Sequence, residues 1–250
     1  GHKPISVSHK KIVNSSVFSV EHTLHIEKNT LADLIRNDIH VVPTLIAIKN
    51  YTELIEGNSA QFLQDENYKY ANITSNEGMW KPFAQMLPEM KSDKTSMFYK
   101  IKYASEKKKV SKFLKLGGEL VAGTDYTNPY IYAGFSLHTE LELMVDCGAS
   151  NYQAIKAATI NAAKCLEKSD DLGTIESGKF ADIVILNENP LADIKNTRSI
   201  DCVILRGEVI DNASINKILK DVSESYSKKE EAIKKSEEAM LKEKTSSKFS

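Results

Sequence analysis

Short apolar runs that end in polar residues alternate with helical stretches through the first 165 residues, and this alternation limits the fold more than any other feature. The runs Ser16–His22, Ile39–Ile46 and Leu120–Asp125 are rich in Val, Ile or Leu, which predicts strands. Thr30–Arg36 precedes the second run and Glu106–Leu116 precedes the third, and both have the pattern of a helix. Strands and helices that alternate with short connections indicate a parallel α/β sheet.

Composition and charge exclude several classes of protein. The 250 residues carry 33 Lys and Arg against 34 Asp and Glu, a formal net charge of −1. This balance argues against a nucleic-acid binder that depends on overall electrostatic attraction. No run approaches the ~18 consecutive apolar residues of a membrane-spanning helix, so we expect no transmembrane segment. Three scattered cysteines form neither a CxxC pair nor a disulfide framework, and we expect them to be small buried residues.

Composition also divides the chain into three zones, residues 1–165, 166–212 and 213–250. The middle zone holds three short apolar runs that predict strands, and Arg206 and Gly207 form a tight turn that joins the last two as a hairpin. These strands are too short and too few to form a domain of their own. We therefore expect them to pair with strands elsewhere, in a small sheet separate from the first strands. The three runs are Asp182–Leu186, Asp201–Leu205 and Glu208–Ile210.

The segment Glu56–Lys94 interrupts the alternation. It is aromatic-rich and contains Trp80, the only tryptophan, and we interpret it as a long loop or helical excursion that covers one end of the sheet. Beyond Asp125 the pattern predicts two helices, Thr139–Asp146 and Asn151–Leu166, separated by a glycine-containing break.

The last zone is dominated by Lys, Glu and Ser, and Val222–Ser250 contains neither Gly nor Pro. Leu219, Tyr226, Ile233 and Met240 recur at seven-residue spacing, but the companion positions are mostly polar. Half of a heptad pattern is weak support for a coiled coil. We therefore expect a charged tail that forms a solvated, partly frayed helix, with little apolar surface to bury.

Three residues could form a metal site. His2 stands at the start of the chain, and His22 and Asp125 stand where predicted strands end. Active sites of parallel α/β barrels are built at the carboxyl ends of the strands, and imidazole and carboxylate both suit Zn²⁺ and related ions. Each residue also has a structural interpretation, because a single strand-end histidine is often only hydrogen-bonded and Asp125 could cap the next turn. The chain contains no HxH, HExxH, GxSxG or GxGxxG motif.

The stretch Gly118–Asp211 resembles the C-terminal part of metal-dependent amidohydrolases, in particular the imidazolonepropionase-like and prolidase-like branch. The segments that carry this resemblance are AGTDY, GFSLHTELELMVDCGASNYQAIKAATINAAKCL, LGTIESGKFADIVILNENPLADI and VILRGEVID. Upstream, GHKPISVS, FSVEH and VVPTLIA are similar to the family's segments at barrel strands five, six and seven. The resemblance covers about residues 1–211 and leaves the tail unmatched.

The resemblance implies a partial (β/α)₈ TIM barrel made of barrel strands five to eight, followed by the C-terminal part of a small β-sandwich. It implies hydrolysis of C–N bonds in amides, small peptides or cyclic amides with one or two divalent ions, Zn²⁺ foremost, so that the substrate is a small or peptide-like molecule. His2, His22 and Asp125 match the metal ligands, and Asp125 also matches the residue that moves the proton of the attacking water. His138 matches a histidine that serves either substrate binding or a structural hydrogen bond.

The chain lacks two elements of the family pattern. The HxH of barrel strand one and the lysine of barrel strand four have no counterpart here. We therefore expect this to be the C-terminal half of a longer enzyme, inactive by itself, whose exposed strand edges promote self-association into homo-oligomers.

Other functions remain open at this level. One alternative is a non-catalytic scaffold or binding protein that keeps the fold and uses its charged tail to bind a partner. Another is hydrolysis of a different bond, such as a phosphotriester, because a fold does not dictate the reaction. Four aromatic residues have two interpretations. They line the pocket, or, more simply, they pack against the barrel rim. These residues are Trp80, Tyr126, Tyr130 and Tyr132.

Overall fold

The computed structural model describes residues 12–13, 17–23, 26–71 and 80–246. Its first strands, β1 (Ser19–Glu21) and β2 (His40–Val42), are parallel and are connected by helix α1 (Leu31–Arg36). A third parallel segment lies beside β2, where Leu120 pairs with Val41. The predicted parallel arrangement is therefore confirmed for these three segments. Their assignment to barrel strands six, seven and eight stays a prediction.

The strands are shorter than the sequence suggested. The predicted strand Ile39–Ile46 is wrong at its end, because Leu45 already begins helix α2 (Leu45–Ile55). The preceding Thr44 has a left-handed backbone, with φ of 48°, which stops the extended conformation. In the predicted strand Leu120–Asp125, only Leu120 takes part in a ladder among the described residues.

Helices make up most of the remaining first zone. The described residues of the excursion Glu56–Lys94 are mostly helical, in line with one of its two interpretations. The helix predicted at Glu106–Leu116 begins earlier, at Asp93. Ser92 caps this helix by accepting a hydrogen bond from the Thr95 backbone N–H at 3.1 Å. The described helices here are α3 (Ser59–Leu63), α4 (Lys81–Glu89), α5 (Asp93–Lys115), α6 (Phe135–Asp146), α7 (Asn151–Ala158) and α8 (Ile160–Cys165), with a 3₁₀ turn at Glu66–Tyr70.

Two groups of buried side chains hold these elements together. In the first, Val20 of β1, Val41 of β2 and Leu120 pack against α5 and α6. The second is aromatic: Trp80 is fully buried, donates its indole N–H to the Thr127 carbonyl at 3.0 Å, and packs against two tyrosines. This burial and these ring contacts favour a packing role, and not the lining of the substrate pocket, for three of the four aromatic residues. They are Trp80, Tyr130 and Tyr132, whereas Tyr126 is exposed.

The second sheet is antiparallel, in the order β3 (Ile183–Leu186), β4 (Ile200–Leu205) and β5 (Glu208–Asp211). Arg206 and Gly207 form the predicted hairpin turn, both with positive φ. Within the described residues, this sheet shares no strand with β1 and β2, which agrees with the small separate sheet expected from the sequence. Its three strands pair only with one another there, so the described residues do not show the expected pairing with strands elsewhere.

The charged tail forms one long helix, α9 (Asn212–Ser246), so the helical part of that prediction is confirmed. Leu219, Tyr226 and Ile233 are half-buried on it. None of the described helices is both long and apolar enough to cross a membrane.

Candidate active site

A cavity of about 230 Å³ opens at the carboxyl ends of the parallel segments. Residues that directly follow β1 and β2, together with Asp125, form one side of it, and residues of α2 and α5 form the rest. The location agrees with the general rule that parallel α/β sheets carry their active sites at this edge. The lining residues are His22, Pro43, Thr44, Ala47, Ile48, Tyr51, Tyr99, Lys102, Glu106 and Asp125.

His22 and Asp125 face each other in this cavity. The Nε2 atom of His22 lies 3.5 Å from Oδ2 of Asp125, and the two side chains are 21% and 35% exposed. The His22 backbone N–H donates to the Val42 carbonyl at 2.8 Å, which ties this residue to the neighbouring strand. The structure therefore brings together two of the three residues that the sequence singled out. His2 lies outside the described residues.

The backbone is left-handed at each of the three strand ends. The φ angles are 61° at His22, 48° at Thr44 and 58° at Asp125, a region that residues other than glycine occupy rarely. Each such residue costs on the order of 1–3 kcal/mol and persists only where the surroundings impose it. All three residues line the same cavity, so the strain at these positions lies where the candidate chemistry would occur.

Thr44 connects the second strand end to His22. Its hydroxyl oxygen is hydrogen-bonded to Nδ1 of His22, and its hydroxyl proton is donated to the Pro43 carbonyl at 2.8 Å. The Thr44 residue is only 3% exposed, so bulk water does not compete for these bonds. Thr44 therefore sets the orientation of the imidazole ring relative to Asp125.

Glu140, on α6, holds the helix that follows Thr44. Its carboxylate is fully buried and accepts hydrogen bonds from the backbone N–H groups of Leu45 and Ile46, each at 2.8 Å. These N–H groups belong to the first turn of α2 and have no partner within the helix. Burial raises the pKa of Glu140 to about 7, although both hydrogen bonds act in the opposite direction.

Sequence reasoning missed Glu140, although a signal was present. The residue stands one helical turn from Ser136 and one from Met144, and all three are buried on the same face of α6. A glutamate at such spacing on a buried face needs a partner, because an unpaired buried charge is costly.

The pKa of Glu140 predicts a pH dependence of stability. In the unfolded chain this carboxyl ionises near 4.5, whereas in the folded protein it keeps its proton to about pH 7. The folded state therefore binds more protons between these values, and stability falls as the pH rises through this range, by on the order of 1–3 kcal/mol. We expect Glu140→Gln to remove this contribution, as measured by urea unfolding at pH 5 and pH 8. Glu188→Gln, at an exposed position, is the control, and an unchanged pH dependence in Glu140→Gln would contradict the assignment.

A buried ion pair supports the residue after His22. The Thr23 hydroxyl donates to Oε2 of Glu106, and Nζ of Lys109 donates to the Thr23 carbonyl at 2.7 Å and to Oε1 of Glu106 at 3.0 Å. Thr23, Glu106 and Lys109 are all buried. Both charged residues lie on α5, so this helix fixes the position of Thr23, the residue next to His22.

The loop after Asp125 is held by a tyrosine and an asparagine. The Tyr51 hydroxyl donates to Oδ1 of Asn128 at 2.8 Å, and Nδ2 of Asn128 donates to the Asp125 carbonyl, also at 2.8 Å. Burial raises the pKa of Tyr51, and the nearby Asp125 carboxylate raises it further. Tyr51 therefore stays a neutral hydroxyl in the cavity wall.

His138 lies elsewhere. Its Nδ1 atom is 2.9 Å from the Thr197 hydroxyl, and it is not among the residues that line the cavity. Burial lowers the pKa of His138, and the nearby Arg198 cation lowers it further. These contacts match the structural alternative for this histidine, and its role in substrate binding stays a prediction.

His22 and Asp125 suit a divalent ion by their chemistry, since a neutral imidazole and a carboxylate are common Zn²⁺ ligands. They face one cavity and are close enough to share an ion. Among the described residues, however, no group of three His, Cys, Asp or Glu side chains forms a complete metal site. The pair therefore fits as part of a ligand set.

Comparison with known proteins points to one family. The sequence model described as "Amidohydrolase family" matches residues 10–210. An imidazolonepropionase of Fusobacterium nucleatum is 34% identical over 86 residues, which cover 32% of this chain and 20% of that enzyme.

Solved structures show the same fold. A Xaa-Pro dipeptidase with bound methionine in its active site aligns with a TM-score of 0.56 and 24% identity, over 82% of this chain and 42% of that one. A bottromycin amidohydrolase aligns with a TM-score of 0.67 and 20% identity, over 90% of this chain and 52% of that one. Each of these three proteins is thus matched over about half of its length or less.

Proposed function

The chain belongs to the amidohydrolase family, and from this premise we propose that it contributes the carboxyl-terminal part of the active site of a metal-dependent hydrolase of C–N bonds. The observation that carries the proposal is the pairing of His22 with Asp125, 3.5 Å apart, in a cavity at the carboxyl ends of parallel segments. His2, outside the described residues, is the further ligand expected from the sequence.

In this proposal each side chain has a separate task. His22 and Asp125 would hold a divalent ion, with Zn²⁺ the first candidate, and a bound ion would supply Lewis acidity. His22 is oriented by Thr44 through Nδ1, which would leave Nε2 to bind the ion. Asp125 accepts the proton of the attacking water on Oδ2 and passes it to the leaving nitrogen, as a general base and then a general acid.

The cavity supports a small substrate. It measures about 230 Å³, and its walls combine the apolar side chains of Ala47 and Ile48 with the polar heads of Tyr51 and Lys102. We propose amides, small peptides or cyclic amides, in keeping with the imidazolonepropionase and the dipeptidase among the similar proteins. The scaffold alternative explains neither the convergence of His22 and Asp125 nor the strain at both residues.

Metal binding tests the proposal directly. We expect the chelator-treated protein to bind Zn²⁺ in calorimetric titration and His22→Ala to weaken this binding by at least about 10-fold, since a ligand is lost. His40→Ala is the matched control, because His40 begins β2 at the opposite end of the strands and pairs with Ser19. Equal Zn²⁺ affinity in His22→Ala and the unaltered protein would refute His22 as a ligand.

Activity tests the reaction. We expect the 250-residue chain alone to hydrolyse amides, dipeptides and cyclic amides very slowly, because one imidazole and one carboxylate among the described residues leave an ion under-coordinated. A phosphotriester belongs in the same panel, and preferential hydrolysis of it would reject the C–N assignment. Robust metal-dependent hydrolysis by the chain alone would show that its own residues complete the site.

A further inference from the structure

The hydrogen bonds of Thr44 determine which nitrogen of His22 carries the proton. A hydroxyl group has one proton to donate, and Thr44 donates it to the Pro43 carbonyl at 2.8 Å. The same hydroxyl oxygen is hydrogen-bonded to Nδ1 of His22, and with its proton used it can only accept. With the hydroxyl proton donated to Pro43, Nδ1 is the donor of this bond, so the neutral ring carries its proton on Nδ1 and its lone pair on Nε2. The Asp125 carboxylate, 3.5 Å from Nε2, acts in the opposite direction by favouring a proton on Nε2.

We propose that Thr44 is a positioning residue that selects the Nδ1–H tautomer of His22 and so presents the Nε2 lone pair to the ion. The inference rests on the proposed function for its consequence, metal binding, but the tautomer itself is a property of the metal-free protein. A metal-binding histidine commonly has its other ring nitrogen held by a hydrogen-bond acceptor, and that partner fixes both tautomer and orientation.

Thr44 can select a tautomer because it cannot easily move. It is buried, with a left-handed backbone at φ of 48°. The two residues after it are held through their N–H groups by the buried carboxylate of Glu140. Rotation of the Thr44 hydroxyl toward Nδ1, which would favour the other tautomer, would leave the Pro43 carbonyl without this donor. A buried carbonyl that loses its partner costs about 1–3 kcal/mol, enough to bias the ring strongly.

The test uses two variants of Thr44 that differ in the hydroxyl. Thr44→Val keeps the β-branched shape and removes the hydroxyl, whereas Thr44→Ser keeps the hydroxyl. In ¹⁵N-labelled, metal-free protein above the pKa of the ring, NMR of the imidazole nitrogens identifies the tautomer. We expect His22 to be protonated on Nδ1 in the unaltered protein and in Thr44→Ser, and to lose this preference in Thr44→Val. We also expect Zn²⁺ affinity to fall by about 10- to 100-fold in Thr44→Val and to recover in Thr44→Ser.

Each result has a definite meaning. A neutral His22 protonated on Nε2 in the unaltered protein overturns the inference, and this measurement is decisive even if Thr44→Val does not fold. An unchanged tautomer in folded Thr44→Val also overturns it. If the tautomer changes as expected but the unaltered protein binds no Zn²⁺, the positioning role of Thr44 stands and the proposed metal site fails.

Discussion

We expect Asp125→Asn to lower kcat by about 100- to 10,000-fold in the active protein to which this chain contributes. The amide has nearly the shape of the carboxylate but cannot accept the proton of the attacking water. The backbone should not change, because asparagine tolerates the left-handed conformation that Asp125 adopts at φ of 58°. The measurement is the steady-state rate with the best amide or peptide substrate, with the metal content of each preparation determined alongside.

Asp38→Asn is the matched control for this experiment. Asp38 is also left-handed, at φ of 51°, but it is exposed and precedes β2 at the end of the strands opposite the cavity. It should retain full activity. Turnover by Asp125→Asn at the rate of the unaltered protein would exclude Asp125 as the base. A loss that tracks lost metal would instead assign it to ion binding alone.

The second large effect concerns stability. We expect Lys109→Met to lower the free energy of unfolding by about 3–5 kcal/mol, because it leaves the Glu106 carboxylate buried without its cation. The two side chains are 10% and 3% exposed, so little water can reach the position of the lost cation. Lys109 also donates to the Thr23 carbonyl, which would lose that hydrogen bond. Urea unfolding at neutral pH measures the change.

Two further variants separate the buried charge from the lost side chain. The double variant Glu106→Gln/Lys109→Met removes both charges and should recover much of the lost stability, since Gln can still accept from Thr23. Lys217→Met breaks an exposed pair with Asp221 and should leave stability almost unchanged. If Lys109→Met lowers the free energy of unfolding as little as Lys217→Met does, the Glu106–Lys109 pair is hydrated and not buried.

Local patterns in the sequence determined the elements and two of the site residues. The alternation of apolar runs with helical stretches predicts β1, β2 and the helix between them. Such a pattern is local, because the periodicity of apolar side chains depends on residues that are close in the chain. The same patterns place His22 and Asp125 at strand ends, and parallel strands bring their carboxyl ends to one edge. The tight turn at Arg206 and Gly207 is equally local. The family resemblance rests on such continuous segments.

Only the tertiary structure decided what holds the site in place. Glu140 reaches Leu45 across 95 residues of chain, and Lys109 reaches Thr23 across 86. The start of α2 at Leu45, which the sequence pattern assigned to a strand, is held by the first of these contacts. No periodicity encodes such a pair, because each residue appears in the sequence only as a charge on a helix. The partner that stabilises each buried charge comes into contact with it only when the helices pack.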